Sequence, residues 1–235
     1  MTAKKLKLVV SSGAGISAES GIKTFRDADG LWENYPVMDV ASADGFARNP
    51  ALVHQFYNER RAALAVVQPN AAHTILKELE QFFDVYVITQ NVDDLHERAG
   101  SSNILHLHGE LTKVRALDDD SLTFKVDYGT ATTPQTVIDG HRVRPHIVFF
   151  QEAVPMIEPA TELVSEADIF VIVGTSLVVY PAAGLLHYVQ PGTPVYYIDP
   201  NPSAVPAGVH VIRRTATEGM AELARILIEK YNIKP

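Results

Sequence analysis

The stretch that most constrains this chain is a run of small residues close to its N-terminus. Residues 6–10, apolar except for Lys7, predict a buried strand, and serines and glycines follow before a helix can begin after Ser17. A strand, a glycine-rich turn and a helix start form the phosphate site of parallel α/β sheets, because glycines let the backbone approach the oxygens and the helix N-terminus offers unpaired N–H groups. Gly13-x-Gly15-x-x-Ala18 fits the G-x-G-x-x-G/A pattern of dinucleotide sites.

Two observations leave this interpretation open. Tight turns between a strand and a helix carry glycines without binding any ligand. The dinucleotide pattern also expects an acidic residue at the end of a second strand, about 20 residues past the first glycine. Residues 25–32 read Phe-Arg-Asp-Ala-Asp-Gly-Leu-Trp, which is not a strand pattern. If a dinucleotide binds here, this loop has a different function.

Composition narrows the class of protein. The chain has 235 residues, 46% of them hydrophobic and 20% charged, which predicts a globular protein with one large domain or a large and a small one. A net charge of −8 disfavours nucleic acid as a ligand and suits a basic partner such as a lysine-bearing peptide. No apolar run reaches 18 residues and no secretory leader pattern is present, so we expect a cytoplasmic protein that does not cross a membrane.

The order of predicted elements indicates the fold. Strands are predicted over 84–89, 104–108, 167–173, 194–198 and 209–212, and helices over 50–67, 70–83, 181–189 and 217–231. Alternating strands and helices predict a doubly wound, parallel, Rossmann-like α/β sheet. We expect residues 1–35, 70–112 and 146–235 to form this domain. Residues 36–69 and 113–145 do not follow this alternation of strands and helices. They predict a smaller discontinuous domain, made of a helical segment and a module of short strands.

Polar clusters follow several of the predicted strands. They are the glycine turn, residues 90–93, residues 174–176 and residues 199–201. Because the carboxyl ends of parallel strands meet at one edge of a sheet, these clusters predict a nucleotide cleft there. Each cluster taken alone is also compatible with ordinary turn chemistry.

Two histidines near this edge have different expected functions. His106 and His108 share a strand face, so a metal pair is conceivable, but no third ligand is evident nearby and no cysteine exists in the chain. We expect no metal, with His106 as a packing residue whose polar atoms are satisfied. His108 follows a strand and precedes a glycine, which favours a general base in the cleft.

Tyr57 and Arg60 form a second candidate pair. They lie three residues apart on a predicted helix and therefore share a face. A hydroxyl beside a guanidinium would hold a carboxylate well, whereas the alternative is a solvated helix face.

A set of motifs taken together closely resembles the sirtuins, which are NAD-dependent protein-lysine deacylases. The motifs run in order over nearly the whole chain: Gly-Ala-Gly-Ile-Ser-Ala-Glu-Ser-Gly-Ile at 13–22, Phe-Arg-Asp at 25–27, Gly-Leu-Trp at 30–32, Thr-Gln-Asn-Val-Asp at 89–93, Leu-His-Gly at 107–109 and Gly-Thr-Ser at 174–176. The resemblance implies that NAD lies across the sheet edge and that an acyl-lysine enters between the two domains. Protein or peptide acyl-lysine is the implied partner, bound by a monomer.

The resemblance also implies the site residues. The catalytic residues would be His108, Asn91 and Asp93. The NAD-binding residues would be Gly13, Ala14, Gly15, Ser17, Glu19, Phe25, Arg26, Trp32, Gln90, Asn91, Val92, Asp93, Gly174, Thr175, Ser176, Asp199, Pro200, Asn201 and Ala216. The residues that bind the acyl-peptide would be Tyr57, Arg60, Val148, Phe150, Val178 and Tyr180, with the peptide backbone added as a strand between the domains.

The implied reaction follows from these assignments. The acyl oxygen would attack the ribose C1′ as nicotinamide leaves, and His108 would then take a proton from a ribose hydroxyl that attacks the intermediate. Free lysine, nicotinamide and O-acyl-ADP-ribose would result. Tyr57-x-x-Arg60 resembles the bacterial and mitochondrial branch of the family, which removes acidic acyl groups such as succinyl and malonyl as well as acetyl.

This chain departs from the family pattern at three places. It lacks the four zinc-binding cysteines, with Ala116 where the first would fall, so zinc is predicted absent and the small module is predicted to be held by strand pairing and apolar packing alone. Residues 118–120, His141 and His146 have the wrong spacing for a tetrahedral replacement site. Gln151 replaces a glycine, which predicts a side chain intruding near the peptide groove. Asp199 replaces an asparagine, which would favour NAD over NADP.

Other classes of function stay open at this level. A low-turnover module that binds NAD or ADP-ribose would keep the fold without the deacylation, and a protein ADP-ribosyltransferase would break NAD at the same bond. A dehydrogenase is disfavoured, because the acidic residue that ends the second strand of a dinucleotide site is absent.

Overall fold

The computed structural model describes residues 4–23, 31–32, 34–202, 205 and 207–233. The strands are β1 (Lys7–Ser12), β2 (Leu31–Trp32), β3 (Tyr35–Pro36), β4 (Asp84–Thr89), β5 (Ile104–His106), β6 (Gly109–Ala116), β7 (Thr123–Lys125), β8 (Val137–Ile138), β9 (His141–Ile147), β10 (Ile169–Val173), β11 (Val195–Ile198) and β12 (His210–Ile212). The helices are α1 (Gly15–Ala18), α2 (Val37–Val40), α3 (Ala43–Arg48), α4 (Pro50–Leu64), α5 (Ala71–Leu79), α6 (Leu95–Ala99), α7 (Ile157–Ser165) and α8 (Ala216–Lys230), and a 3-10 helix covers Ala182–Tyr188.

A parallel sheet in the order β12-β11-β10-β1-β4-β5 forms the larger part of the molecule. Strand β1 lies inside this sheet, and its last residue, Ser12, is aligned with Thr89 of β4 and Val173 of β10. The three strands therefore end level with one another, and the segments that follow them begin side by side. This register is what brings the predicted polar clusters to one edge.

Both faces of the parallel sheet are covered, as a doubly wound fold requires. Val10 of β1 packs in a core with residues of α5 and α8, whereas Val9 packs in a second core with residues of α7 and the 3-10 helix. Successive residues of a strand point to opposite faces, so the uninterrupted apolar run of β1 supplies both cores. The predicted fold class is confirmed.

A smaller antiparallel sheet in the order β7-β6-β9-β8 packs against α4. A third core, which includes Phe56, Tyr57, Leu111 and Phe149, joins α4 to this sheet. Strand β6 begins at Gly109, four residues before the predicted start of the small-domain module. The exact division of the chain into two domains stays a prediction.

Buried and partly buried polar contacts also hold the smaller sheet in place. The Arg61 side chain, 1% exposed, donates to the carbonyl oxygens of Thr130 at 2.6 Å and of Leu111 at 3.3 Å. The Asn58 amide donates to the Thr132 carbonyl at 2.8 Å and accepts from the Thr132 N–H at 3.0 Å. The prediction that strand pairing and apolar packing alone hold this module is therefore wrong, because α4 is hydrogen-bonded to the loop between β7 and β8.

Helix boundaries differ from the sequence prediction in several places. Helix α4 ends at Leu64 rather than residue 67, and α5 ends at Leu79, although Asn70 caps it as predicted, with its side chain accepting from Ala72 N–H at 3.0 Å. The predicted helix over 181–189 is a 3-10 helix, and α7 had no predicted counterpart. Among the described residues, no helix is both long and apolar enough to cross a membrane.

Candidate active site

Three glycines bring the turn after β1 against the end of β10. The Gly15 N–H donates to the Gly174 carbonyl at 2.8 Å. A Cβ on Gly15 would lie 2.6 Å from Gly174 Cα, and a Cβ on Gly13 would lie 2.7 Å from Gly174 O. Gly174 itself has a φ of +64°, where side chains are unfavourable. These glycines are therefore required by the contact between the two backbones, whether or not a phosphate also binds there.

A buried chain of hydrogen bonds joins this turn to the segment after β4. Asn91 Nδ2 donates to Gly13 O at 3.2 Å and to Ser17 Oγ at 3.1 Å, and the Ser17 hydroxyl donates to Asp93 Oδ2 at 3.0 Å. Burial raises the pKa of Asp93 to about 6, an effect that hydrogen bonds from Leu95 N–H and Ser17 partly offset. The side chains of Asn91 and Asp93 are thus fixed at the sheet edge.

His108 lies beside the same segment in the form that a general base needs. Its Nδ1 is 3.1 Å from Gln90 O. A carbonyl oxygen only accepts, so Nδ1 carries the hydrogen and Nε2 has the free lone pair. Burial lowers the pKa of His108, with the Gln90 contact acting in the opposite direction, so the imidazole is neutral at pH 7. The following residue, Gly109, has a φ of +84° and its Cβ would lie 2.0 Å from His146 O, so only glycine fits there.

The ends of β10 and β11 complete this edge. Gln90 Nε2 donates to Thr175 Oγ1 at 3.2 Å, and the Tyr197 hydroxyl donates to Thr175 O at 2.8 Å. Asp199 follows β11, is 4% exposed, and accepts from Asn201 N–H at 2.8 Å. Ser176 and Pro200 continue these two segments. The structure thus connects the glycine turn, the Gln90 segment and Thr175 directly, as the strand-end argument predicted.

The remaining predicted cofactor residues have varied surroundings. Ala14 occupies the N-cap position of α1, and the Val92 carbonyl accepts from Leu111 N–H at 2.8 Å. The Trp32 ring packs edge-on against Phe56, with 5.0 Å between ring centroids. Phe25 and Arg26 lie outside the described residues.

Glu19 contacts the start of α8. Its two carboxylate oxygens accept from the Thr217 N–H at 2.9 Å and from the Thr217 hydroxyl at 2.7 Å. Burial acts to raise the pKa of Glu19, but the bonds from Thr217 outweigh it and the pKa is lowered. Ala216 is the first residue of that helix. Glu19 therefore stabilises the helix N-terminus, a structural function that the sequence did not indicate.

Tyr57 and Arg60 lie on α4 with unsatisfied donors. Tyr57 is 0% exposed, and neither its hydroxyl nor Arg60 Nη1, both buried, has a hydrogen-bond partner among the described residues. The Arg60 guanidinium lies 4.3 Å from the centroid of the Phe56 ring. Burial raises the pKa of Tyr57 far above its usual value, so the hydroxyl keeps its proton. The alternative of a solvated helix face is wrong for this pair.

The predicted peptide-binding residues divide into two kinds. The Val178 and Tyr180 side chains are 66% and 70% exposed. In contrast, the Val148 N–H donates to His108 O at 3.0 Å, and the Phe150 N–H donates to Ala41 O at 2.8 Å. These two N–H groups are therefore not free to pair with a peptide strand, although the Phe150 side chain is 41% exposed.

Gln151 adopts a conformation that explains why glycine suits its position. Its φ is +75°, in the left-handed region. The side-chain amide bonds to Asp44 of α3 twice, accepting from the Asp44 N–H at 3.1 Å and donating to Oδ2 at 2.8 Å. The side chain is thus held on α3, whereas the sequence prediction had it intruding near the peptide groove.

His106 is surrounded by acidic groups that the sequence analysis missed. Ligand atoms of Glu97, His106 and Glu110 lie within 4.8 Å of one another, the one such group found among the described residues. The statement that no third ligand lies near His106 is therefore wrong. However, both ring nitrogens of His106 already make hydrogen bonds, and Glu110 pairs with Lys113 at 2.5 Å. The absence of a metal stays a prediction.

Comparisons with known proteins agree with this geometry. Residues 13–181 match the model of the Sir2 family. A protein of Bacteroides thetaiotaomicron named "NAD-dependent protein deacylase" is 55% identical over 231 residues, covering 94% of this chain and 97% of its own length. The solved structure of a Sir2 homologue with NAD superposes with a TM-score of 0.84 at 39% identity, covering 97% of this chain and 91% of that one. A mutant Sir2 homologue with ADP-ribose gives a TM-score of 0.87 at 39% identity, covering 99% and 96%.

Proposed function

This chain belongs to the Sir2 family, and on that premise we propose that it is an NAD-dependent protein deacylase that removes acetyl and acidic acyl groups from lysine. Acyl-lysine, NAD and one water molecule give free lysine, nicotinamide and O-acyl-ADP-ribose as the products. One observation carries the proposal: the free Nε2 of His108 lies beside the hydrogen-bonded segment that runs from Gln90 to Asp93 and contacts the glycine turn. This arrangement would bring a general base next to a cleft suited to a nucleotide.

The residues at the sheet edge fit NAD. Gly13 and Gly174 let the backbone after β1 and the backbone after β10 lie against each other at this edge, and the buried Asp199 carboxylate after β11 is suited to accept from ribose hydroxyls. NAD supplies the ribose carbon that receives the acyl oxygen, and nicotinamide is its leaving group. Gln90, Asn91 and Asp93 would line the ribose and nicotinamide end of the cleft.

His108 would act as the general base of the reaction. Its neutral imidazole, with the hydrogen on Nδ1, can accept a proton from a ribose hydroxyl at Nε2. The contact with Gln90 fixes this tautomer and the ring orientation. Asn91 and Asp93, fixed through Ser17, would hold the reacting region in place without themselves transferring the proton.

The preference for acidic acyl groups rests on Tyr57 and Arg60. A buried donor without a partner is costly, because the group has lost its water and gained nothing in exchange. Two such donors on one face of α4 match the two oxygens of a carboxylate at the end of a succinyl or malonyl chain. An acetyl group would leave both donors unpaired.

We also propose that the smaller sheet needs no zinc. The chain has no cysteine, and Arg61 and Asn58 hydrogen-bond α4 to the loop between β7 and β8 without any metal. Stability unaffected by a metal chelator would support this proposal.

A product analysis tests the proposed activity. The purified protein is incubated with NAD and one peptide prepared with acetyl-lysine, succinyl-lysine or free lysine, and the products are identified by mass. We expect free lysine and the matching O-acyl-ADP-ribose from both acylated peptides, and no nicotinamide release when NAD or the acyl group is omitted. NAD binding without turnover, ADP-ribose left on the peptide, or formation of NADH would each contradict the proposal and identify one of the alternative classes.

A further inference from the structure

Two histidines approach consecutive carbonyl groups of the segment after β4. His108 Nδ1 lies 3.1 Å from Gln90 O, and His106 Nδ1 lies 3.1 Å from Asn91 O. His106 is the last residue of β5, and His108 lies two residues beyond the end of that strand. The first contact fixes the base of the proposed reaction, whereas the second has no function in it so far.

The hydrogen bonds of His106 fix its protonation state. Its Nδ1 faces the Asn91 carbonyl, and its Nε2 lies 2.7 Å from a Glu97 carboxylate oxygen. Both partners only accept, so both ring nitrogens donate and the ring is an imidazolium. The His106 side chain is 10% exposed.

The charges around His106 agree with this state. Burial acts to lower its pKa, but the hydrogen bond and charge of Glu97, with a contribution from Glu110, outweigh burial, and the net pKa is raised. The other titratable or charged groups that act on this cluster are Asp93, His96, His146 and Lys113.

Asn91 is the point where these contacts act on the site. Its backbone N–H donates to Thr89 Oγ1 at 3.1 Å and its side chain donates to Gly13 O and Ser17 Oγ. The bond from His106 to the Asn91 carbonyl constrains the next peptide group, between Asn91 and Val92. A shift of this group would move the Asn91 amide and, through the adjoining Gln90 carbonyl, the ring of His108.

We propose that His106 is a positioning residue for the reaction: by donating from Nδ1 to the Asn91 carbonyl, with Glu97 orienting the ring, it fixes where the Asn91 amide and the His108 base face the substrate. This inference rests on the proposed deacylase function. Misplacement of reacting groups by even 1 Å costs up to about 100-fold in rate, so loss of a hydrogen bond that positions these groups lowers the rate even though His106 does not touch the substrate.

Two substitutions at His106 separate its two hydrogen bonds. The amide nitrogen of asparagine lies at the same bond distance from Cβ as Nδ1, and that of glutamine lies at the same bond distance as Nε2. His106→Asn thus keeps a donor for Asn91, and His106→Gln keeps a donor for Glu97 only. We expect His106→Gln to lower kcat by about 10- to 100-fold with little change in the KM for NAD, and His106→Asn to stay within about threefold of the wild type.

The pH profile of Glu97→Gln distinguishes a positioning residue from one that only stabilises the fold, because a purely structural role of His106 would not change the profile. In the wild type, loss of the His106 proton at alkaline pH leaves the remaining hydrogen on Nε2 for the charged Glu97, so Asn91 loses its donor. In Glu97→Gln the new amide can donate to Nε2, and the hydrogen stays on Nδ1 for Asn91. The ratio of the Glu97→Gln rate to the wild-type rate should therefore rise with pH on the alkaline side.

His141→Gln is the matched control. His141 lies 2.9 Å from an Asp118 carboxylate oxygen on the small sheet, so it is another histidine–carboxylate pair, but one outside the site. It should leave kcat unchanged, and thermal melts should show that every variant is folded. Equal kcat for His106→Gln and His106→Asn would overturn the inference, and so would a rate ratio for Glu97→Gln that does not change with pH. In either case, turnover by the wild type would leave the proposed function intact. A wild type without turnover on any acyl-peptide would instead contradict the proposed function itself.

Discussion

At the scale of single residues, the clearest signal in this molecule is a pair of donors without acceptors. Buried polar groups in folded proteins are nearly always hydrogen-bonded, so exceptions call for an explanation. The Tyr57 hydroxyl and Arg60 Nη1 are exceptions on one helix face among the described residues. A ligand carboxylate would satisfy both, which is why we assign the acyl preference to this pair.

Removing either donor should lower the desuccinylation activity much more than the deacetylation activity. A hydrogen bond to a charged group contributes about 1.5–3 kcal/mol, or about 10- to 100-fold in kcat/KM. We expect Tyr57→Phe and Arg60→Met each to lower kcat/KM for the succinyl-peptide by that factor and to change the acetyl-peptide value by less than about threefold. Rates on both peptides, measured side by side, check this.

Arg48→Met is the matched control for the arginine substitution. Arg48 is exposed and pairs with Asp39 at 2.8 Å on the surface, so its loss should change neither activity. Equal losses on the two acylated peptides in Tyr57→Phe or Arg60→Met would contradict the carboxylate assignment.

At the scale of elements, two buried histidines join α5, α6 and the end of β1. His73 of α5 and His96 of α6 are 0% and 1% exposed, with 4.9 Å between their ring centroids, and His96 Nε2 lies 3.0 Å from Ser12 Oγ. Burial lowers the pKa of His73 to about 4 and that of His96 well below its usual value. These rings support the start of the glycine turn only while they are neutral.

The fold should therefore weaken in acid. For a histidine whose folded pKa is lowered, the unfolded state binds more protons between the two pKa values, so stability is full above about pH 6.5 and is lost progressively down to about pH 4. His73 alone contributes on the order of 3 kcal/mol to this loss, and buried His54, with a pKa of about 4, adds to it. The raised pKa of Asp93 opposes the trend between about pH 4 and 6. Urea unfolding at several pH values measures the net slope.

A comparison of variants shows which histidines cause this dependence of the unfolding free energy on pH. His73→Gln should be less stable at pH 7 but flatter in its pH dependence, and His187→Gln, which removes an exposed histidine, should keep the wild-type slope. An unchanged slope in His73→Gln would show that His73 is not responsible.

At the scale of the whole molecule, the fold and the centre of the site were predictable from the sequence because they rest on local patterns. The run Ile169–Val173 indicated a buried strand, and parallel strands that end level must place their following residues together. Other features were not predictable because they depend on partners distant in sequence. Glu19 meets Thr217 across 198 positions. The carboxylates around His106 are close in sequence, but only the folding of α6 and β6 brings Glu97 and Glu110 together beside it. Gln151 could be placed at a glycine position but not on Asp44, since only the folded chain brings α3 to it.

The central claim is that His108 is the base of a cleft that breaks NAD at the glycosidic bond and frees lysine. The most direct test is the kcat of lysine deacylation for the wild type and His108→Ala across pH, read as O-acyl-ADP-ribose by mass. We predict a loss of about 100- to 10,000-fold in the variant. The wild-type kcat/KM, which reports the free enzyme, should fall on the acid side with a midpoint below pH 6.5, because burial lowers the pKa of His108. A His108→Ala variant that retains more than a tenth of the wild-type kcat would contradict the account.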